Sequence, residues 1–500
     1  MEIGSTGIRL IVAEISGGGQ FKVLDRAGKP VALGRDVFSS GQVSRESLME
    51  CLTVLRSFRE FLEGWGISDE DIHVIATSAL RAARNRDMFV DRVRQETGFN
   101  LTIVEGIEEN RLIYLAVRFA LKNDLPLFWR ANSMILEIGG GSTEIMLLRR
   151  GQMVAAHSIR LGTILIDRAV RGGSSWSEER YFKEKLRNTS ELLNTEMDLA
   201  HIRTFVVAGS DARIAALQVG TELNEHCSVV TRENFIAFAE KVQNYTPEDC
   251  MQNLQISFAE AKFFVPGILV YRFLLERTGA AQVVVPNVSI REGMLIDLAL
   301  GVDSSLQEDF FSQIMASAVN LGRRFHFDEA HSRHVAELCM VLFEALVREH
   351  GMSRREQMML EVAALLHDIG TFIRVSGHQL HGQYIVSNSE IFGLHLEELD
   401  IIASVIRYHR GELPAASDIN YIALQREERI QVLKMAAILR VADALDRGHS
   451  QQIRNITVEK KSETMVLHTG GGRDVSLELI GLDEKANLFQ DVFGYKVILN

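Results

Sequence analysis

The phrase Glu2-Ile3-Gly4 in "MEIGSTGIRLIVAEI" returns 135 residues later as Glu137-Ile138-Gly139 in "LEIGGGSTEIMLLRR". A second pair keeps nearly that spacing. "VIATSALR" (74–81) matches "VVAGSDAR" (206–213) at an offset of 132, with Ala76/Ala208, Ser78/Ser210 and Arg81/Arg213 coinciding. Two matches at similar offsets predict an internal duplication of ~130 residues, so the first three-fifths of the chain must fold as two copies of one unit.

Each copy reads as a strand, a glycine-rich turn and a returning strand rich in β-branched residues, as in "IRLIVAEI" and "TEIMLLRR". A helix follows in copy one, where Leu48, Cys51, Leu52, Leu55, Phe58 and Leu62 keep a helical stripe. A further strand then runs into a helix start at Thr77-Ser78 or Gly209-Ser210. Alternating strands and helices predict two α/β domains, 1–125 and 126–303.

From about residue 305 the pattern turns helical through "AHSRHVAELCMVLFEALVREH", "REQMMLEVAALLHDIG", "LEELDIIASVIRYH" and "RIQVLKMAAILRVADALDR". Eleven of the fifteen histidines lie at or beyond His326, marking an all-α domain (304–450) with its own chemistry. The last fifty residues alternate again in "IRNITVEK", "TMVLHT", "DVSLELIG" and "YKVILN" around one short helical stretch, a small α+β end domain (451–500).

A net charge of −12 argues against broad electrostatic binding of nucleic acid. A polyanionic substrate would need a local basic site and a divalent cation. Apolar runs fall far short of ~18 residues, so no membrane span is expected, and no secretory leader is visible. Four scattered cysteines without C-x-x-C spacing exclude a zinc knot and point to a reducing cytoplasm. No G-x-x-x-x-G-K-[ST] is present, which leaves a P-loop enzyme unsupported.

Glycine admits close approach of a ligand and positive φ. A Gly-Gly-Gly-Ser turn can aim successive N–H groups at a phosphate. The flanking Glu137 and Glu144 can then hold a magnesium ion carrying phosphate oxygens. A plain hairpin turn would use the same glycines, but duplication favours two facing loops. Thr77 and Ser78 open a helix whose free N–H groups suit an anion, with Arg81 one turn on; simple N-capping competes with that role. Glu105, Glu108 and Glu109 head the helix in "VEGIEENRLIYLAV", where acids commonly just answer the helix dipole.

The phrases "EIGSTGIRLIVAEI", "ATSALRAARN", "EGIEENRLIYLAV", "LEIGGGSTEI", "RLGTILI" and "VSIREGML", in this order, resemble the exopolyphosphatase / guanosine pentaphosphate phosphatase family. The resemblance implies a duplicated actin/hexokinase-like (ribonuclease H-like) α/β core with a cleft between its halves. It also implies roles. Glu109 matches the glutamate that activates water, and Glu144 a metal ligand or helper base. Gly4, Ser5 and Thr6 match the first phosphate loop; Gly139, Gly140, Gly141, Ser142 and Thr143 match the second. Thr77, Ser78 and Arg81 match a phosphate-gripping segment. Glu2, Glu137 and Glu144 would hold Mg2+ or Mn2+. The family usually has aspartate at the positions of Glu2 and Glu137, and a small residue where Asn110 stands.

In the helical domain, His331, His367-Asp368 and Asp443 are imidazoles and carboxylates suited to a divalent metal. Asp443 is the most telling, since an unpaired carboxylate in an apolar helix is costly. The set resembles the HD superfamily of metal-dependent phosphohydrolases, with His378 or His381, and His409, standing where a second metal takes its ligands. Thr371 replaces the lysine that often follows "HDIG".

These features lead to a phosphohydrolase removing terminal phosphate from inorganic polyphosphate or a guanosine penta- or tetraphosphate. The family resemblance further implies a homodimer. Two alternatives stay open: an HD-type phosphohydrolase with the N-terminal half as sensor, and a protein that binds polyphosphate or alarmone without turnover. A sugar or acyl kinase of the same superfold fits less well.

Overall fold

The computed structural model describes residues 1–16, 20–121, 130–171, 176–300, 304–415, 417–469 and 474–500, in two compact units, Met1–Phe310 and Phe311–Asn500.

The first unit holds two sheets. Strands β1 (Glu2–Ile3), β2 (Gly7–Ser16), β3 (Gln20–Pro30), β4 (Val74–Ala76) and β5 (Leu101–Ile103) lie in the order β3-β2-β1-β4-β5. Strands β6 (Asn132–Ile138), β7 (Thr143–Arg149), β8 (Gln152–Ile159), β9 (Ile202–Ala208), β10 (Thr221–Asn224), β11 (Cys227–Thr231) and β12 (Gln282–Pro286) lie in the order β10-β11-β12-β9-β6-β7-β8. Both sheets open with an antiparallel meander, after which β4 joins β1 and β9 joins β6 in parallel. The β8-β7-β6-β9-β12 run therefore repeats the order and directions of the first sheet: the duplication that the offsets predict, in the actin-like core that the resemblance implies. The second copy adds the antiparallel β10 and β11 at its far edge.

Each sheet has its own apolar core. One gathers Ile3, Ile8, Leu10 and Val12 against Cys51, Leu52, Leu55, Phe58 and Leu62 of the helix Arg45–Gly64, the predicted stripe. The other packs Leu136, Leu147, Phe205 and Val207 against Ile268 and Tyr271 of Phe258–Leu275. Full burial of such side chains contributes about 1.5–3 kcal/mol each. Register fixes the acids: Glu137 of β6 pairs with Glu144 of β7, and Glu2 takes the equivalent place in β1.

The second unit packs the helices Glu329–Ala345, Arg354–Leu366, His378–Ser387, Leu396–Tyr408 and Arg426–Ala444 with a sheet of β13 (Ile456–Lys460), β14 (Thr464–Thr469) and β15 (Lys496–Leu499). One expectation fails here. "DVSLELIG" is not a strand but the start of the helix Ser476–Lys485. Its buried residues are Glu478, Gly481, Leu482 and Lys485, a helical spacing, while Leu477, Leu479 and Ile480 are exposed. The alternation of polar and apolar letters was thus misleading because three of the helix's four large apolar side chains face water.

All four cysteines are buried and free, with burial pushing the Cys51 thiol up to about 12. Among the described residues no helix is long and apolar enough to cross a membrane.

Candidate functional site

The strand ends and turns of both copies line one cleft of about 410 Å3 in the first unit. Glu2, Gly4, Ser5 and Thr6 enter from the first loop, and Glu137, Gly139, Gly140, Ser142 and Glu144 from the second. Thr77, Ser78 and Glu109 complete the predicted lining, whereas Gly141, Thr143 and Arg81 are not part of it.

The glycines do something the sequence did not announce. Gly139, Gly140 and Gly141 have no positive φ. A Cβ on Gly140 would meet Ser5 Cβ at 2.7 Å, and one on Gly141 the Phe38 ring at 2.1 Å. On Gly162 of "RLGT" it would meet the Gly140 backbone at 2.3 Å. The bare turn therefore lets the two half-sites close on one another, which also brings both loops to the same cleft. Thr143 braces the second copy's side of this seam: its hydroxyl donates to the Leu161 carbonyl.

β4 ends at Ala76 and a short helix starts at Ser78; Thr77 makes no side-chain cap, and Ser78 Oγ lies 3.2 Å from Ser5 Oγ. N-capping, the competing role for these hydroxyls, is therefore not what Thr77 does. Arg81 donates to the Val104 carbonyl (2.6 Å) and forms an ion pair with Glu109. It holds the proposed base rather than lining the cleft.

Glu109 is buried in the first turn of Gly106–Leu121. Burial raises its carboxyl to about 7, against the pull of Arg81. Glu144 accepts from Ser158 Oγ (2.9 Å) and from Asn110 Nδ2 (3.0 Å), so the unusual Asn110 orients this acid. Burial first, and then the charge of Glu109, push Glu144 well above the carboxylate range; burial and Glu2 push Glu137 to about 8. Three crowded acids of this kind are where a divalent cation would relieve repulsion. That fits Mg2+, although Glu2, Glu137 and Glu144 form no three-residue group of ligand atoms within 4.8 Å among the described residues.

Sequence reasoning missed the cationic wall: Arg9, Lys29, Arg213 and Arg291 also line the cleft. Burial, then the charge of Arg291, hold the Arg213 guanidinium below its ordinary value. Among the described residues the buried Nε of Arg291 has no hydrogen-bond partner, while its Nη1 lies 3.4 Å from Glu2 Oε2. Gathered arginines with a free donor are the complement of an anion. The signals were present, since Arg213 is the repeat partner of Arg81 and Arg291 sits in "VSIREGML".

In the second unit, the predicted His331, His367, Asp368, Asp443 and His409 come together, joined by His378. Of the two alternatives for that position, His378 is the one in the group, and His381 is absent from it. His378 opens its helix beside the centre, where Gly370 of "HDIG" allows close approach: a Cβ there would meet the His378 carbonyl at 2.0 Å. His381 lies nearly one turn further along.

Each imidazole is pinned by Nδ1. His367, His378 and His409 face the carbonyls of Ala364 (2.8 Å), Val375 (2.9 Å) and Ile406 (2.6 Å), and His331 faces Asp446 (2.8 Å). A carbonyl or carboxylate only accepts, so Nδ1 carries a proton in each ring, and in a neutral ring Nε2 is left as a lone pair. Those Nε2 atoms meet in pairs, His331/His367 at 3.2 Å and His378/His409 at 3.3 Å. Two lone pairs facing at that distance are relieved either by a proton on one ring or by a cation between them, and the set fits a divalent metal.

The chain matches the model of the Ppx/GppA phosphatase family over residues 11–301 and that of Ppx/GppA phosphatase, domain III, over 315–478. A guanosine-5'-triphosphate,3'-diphosphate pyrophosphatase of Photobacterium profundum is 23% identical over 466 residues, 90% of this chain and 87% of that protein. The same-named protein of Pseudoalteromonas atlantica is 23% identical over 88% of this chain and 86% of its own length. Among solved structures, an exopolyphosphatase from Cytophaga hutchinsonii superposes with TM-score 0.51 at 19% identity, covering 60% of this chain and 97% of that one. That last likeness shows the fold.

Proposed function

The chain belongs to the Ppx/GppA phosphatase family, hydrolases of phosphoanhydride bonds, and on that premise we propose that its interlobe cleft removes terminal phosphate from inorganic polyphosphate or guanosine pentaphosphate. The observation that carries this reading is the meeting of a buried base, Glu109, with two glycine loops and four cationic side chains in one cleft.

Glu109 takes a proton from water, whose oxygen attacks the terminal phosphorus. The bridging P–O bond breaks, releasing orthophosphate and a chain one phosphate shorter. The loop N–H groups of Ser5–Thr6 and Gly140–Ser142, with Arg213 and Arg291, hold the phosphate oxygens, so that rate is gained by positioning and electrostatics. Asn110 and Ser158 keep Glu144 aimed into the cleft. Magnesium, held by Glu137 and Glu144, would neutralise charge developing on the phosphate oxygens.

The test is phosphate release from long-chain polyphosphate and from guanosine pentaphosphate with magnesium, in wild type, Glu109→Gln and Asp443→Ala. Glu109→Gln is expected to lose on the order of 100-fold or more in kcat while Asp443→Ala keeps it. Loss confined to Asp443→Ala would move the chemistry to the histidine–aspartate centre, the second reading that the paired Nε2 atoms favour. Binding of either substrate without release would make the chain a sensor.

A further inference from the structure

We propose that the histidine–aspartate centre of the second unit takes a divalent metal in competition with a cation of its own chain, the Lys485 ammonium. This rests on the metal reading of that centre.

The centre has two halves. Asp443 Oδ1 lies 3.8 Å from Nε2 of both His331 and His367. Asp368 spans to the second half, its Oδ1 3.0 Å from His378 Nε2, 3.7 Å from His367 Nε2 and 3.8 Å from His409 Nε2. The other oxygen of Asp443, Oδ2, is taken by Lys485, with both side chains buried.

Lys485 is not a passing surface residue. It ends the helix Ser476–Lys485, and its carbonyl accepts from Arg440 Nε at 3.0 Å. Arg440 and Asp443 sit almost one turn apart on Arg426–Ala444, so one helix supplies both the carboxylate and the clamp that delivers the ammonium to it. Arg440 also donates to the carbonyls of Tyr408 (3.3 Å) and Gly411 (3.2 Å), on either side of the ligand His409.

A metal entering between His331 and His367 must therefore share Asp443 with a fixed positive charge, or displace it. Like charges around one carboxylate repel, and the repulsion is strong where water is excluded. In the metal-free chain the same ammonium neutralises the centre. Lys485 thus sets the metal concentration at which the centre loads. Linkage is reciprocal, so loading loosens the helix that carries Lys485.

The experiment is Mn2+ titration of the full chain by calorimetry, in wild type, Lys485→Met, Lys485→Arg and His331→Ala. Lys485→Met is expected to bind Mn2+ on the order of 10- to 100-fold more tightly than wild type. Lys485→Arg, which keeps the charge, should stay near wild type, and His331→Ala should lose binding. Amide exchange across residues 476–485 should quicken when wild type is saturated with Mn2+. Equal or weaker binding by folded Lys485→Met, or slower exchange on loading, overturns the competition. No Mn2+ binding by either wild type or Lys485→Met overturns the metal reading itself.

Discussion

Arg81 and Glu109 form an ion pair that ties the short helix after β4 to the first turn of Gly106–Leu121. Burial pushes Glu109 up and Arg81 pulls it down, and the balance leaves the carboxyl at about 7. A base must be ionised to accept a proton, so kcat/KM should rise with pH through a midpoint near 7 and level off about one unit above it. Arg81→Ala removes the pull. The rising limb is then expected to shift upward by about one pH unit or more, read from the pH–rate profile.

Stability should run the other way in the first unit. Burial raises Glu109 and Asp211 to about 7 and Glu137 to about 8, above their unfolded values. The folded state then binds more protons than the unfolded one between roughly pH 4.5 and 8, so stability is lost as pH rises through that window. The thermal midpoint of this unit is expected to fall from pH 5 to pH 8, and magnesium to lessen the fall. Glu137→Gln should raise the midpoint at pH 8 by roughly 2–4 °C while lowering activity, as calorimetry and phosphate release would show.

The glycines separate packing from phosphate contact. Gly141→Ala drives a methyl into the Phe38 ring and is expected to cost about 1–3 kcal/mol in a urea titration. At Gly139 the nearest atom is the Ser142 carbonyl oxygen at 3.5 Å, an ordinary contact. Gly139→Ala should fold like wild type, so any rise in its KM reports the loop's hold on phosphate.

Between the two candidate histidines of the helical unit, His378 alone has its Nε2 against Asp368 and His409. His378→Ala is expected to lower bound Mn2+, measured by elemental analysis after dialysis, and His381→Ala to leave it unchanged.

The duplication made most of the first unit legible, because a repeat of phrases forces a repeat of strand order. The same repeat pointed the two loops, Thr77 and Ser78 at one cleft, whereas Glu109 was legible only through the family resemblance, since its place at a helix start reads as an answer to the dipole. It did not show that Arg81 turns toward Glu109, since a side chain's partner across 28 residues is set by tertiary packing. Arg9 and Lys29 gave no signal because isolated basic residues on strands look like ordinary solvated faces. Lys485 was hidden for a related reason: its burial depends on a helix whose letters imitate a strand.

Where a Cβ on Gly140 would meet Ser5 Cβ, one on Gly34 would meet Ile164 Cδ1 and one on Gly141 the Phe38 ring, one lobe presents bare backbone to a side chain of the other. The glycine side has no rotamers to exchange, and Ser5 Cβ is fixed by its own backbone, so this seam has little room to yield by repacking. A larger residue at Gly34 or Gly140 would therefore have to push the lobes apart, widening the cleft between the two phosphate loops.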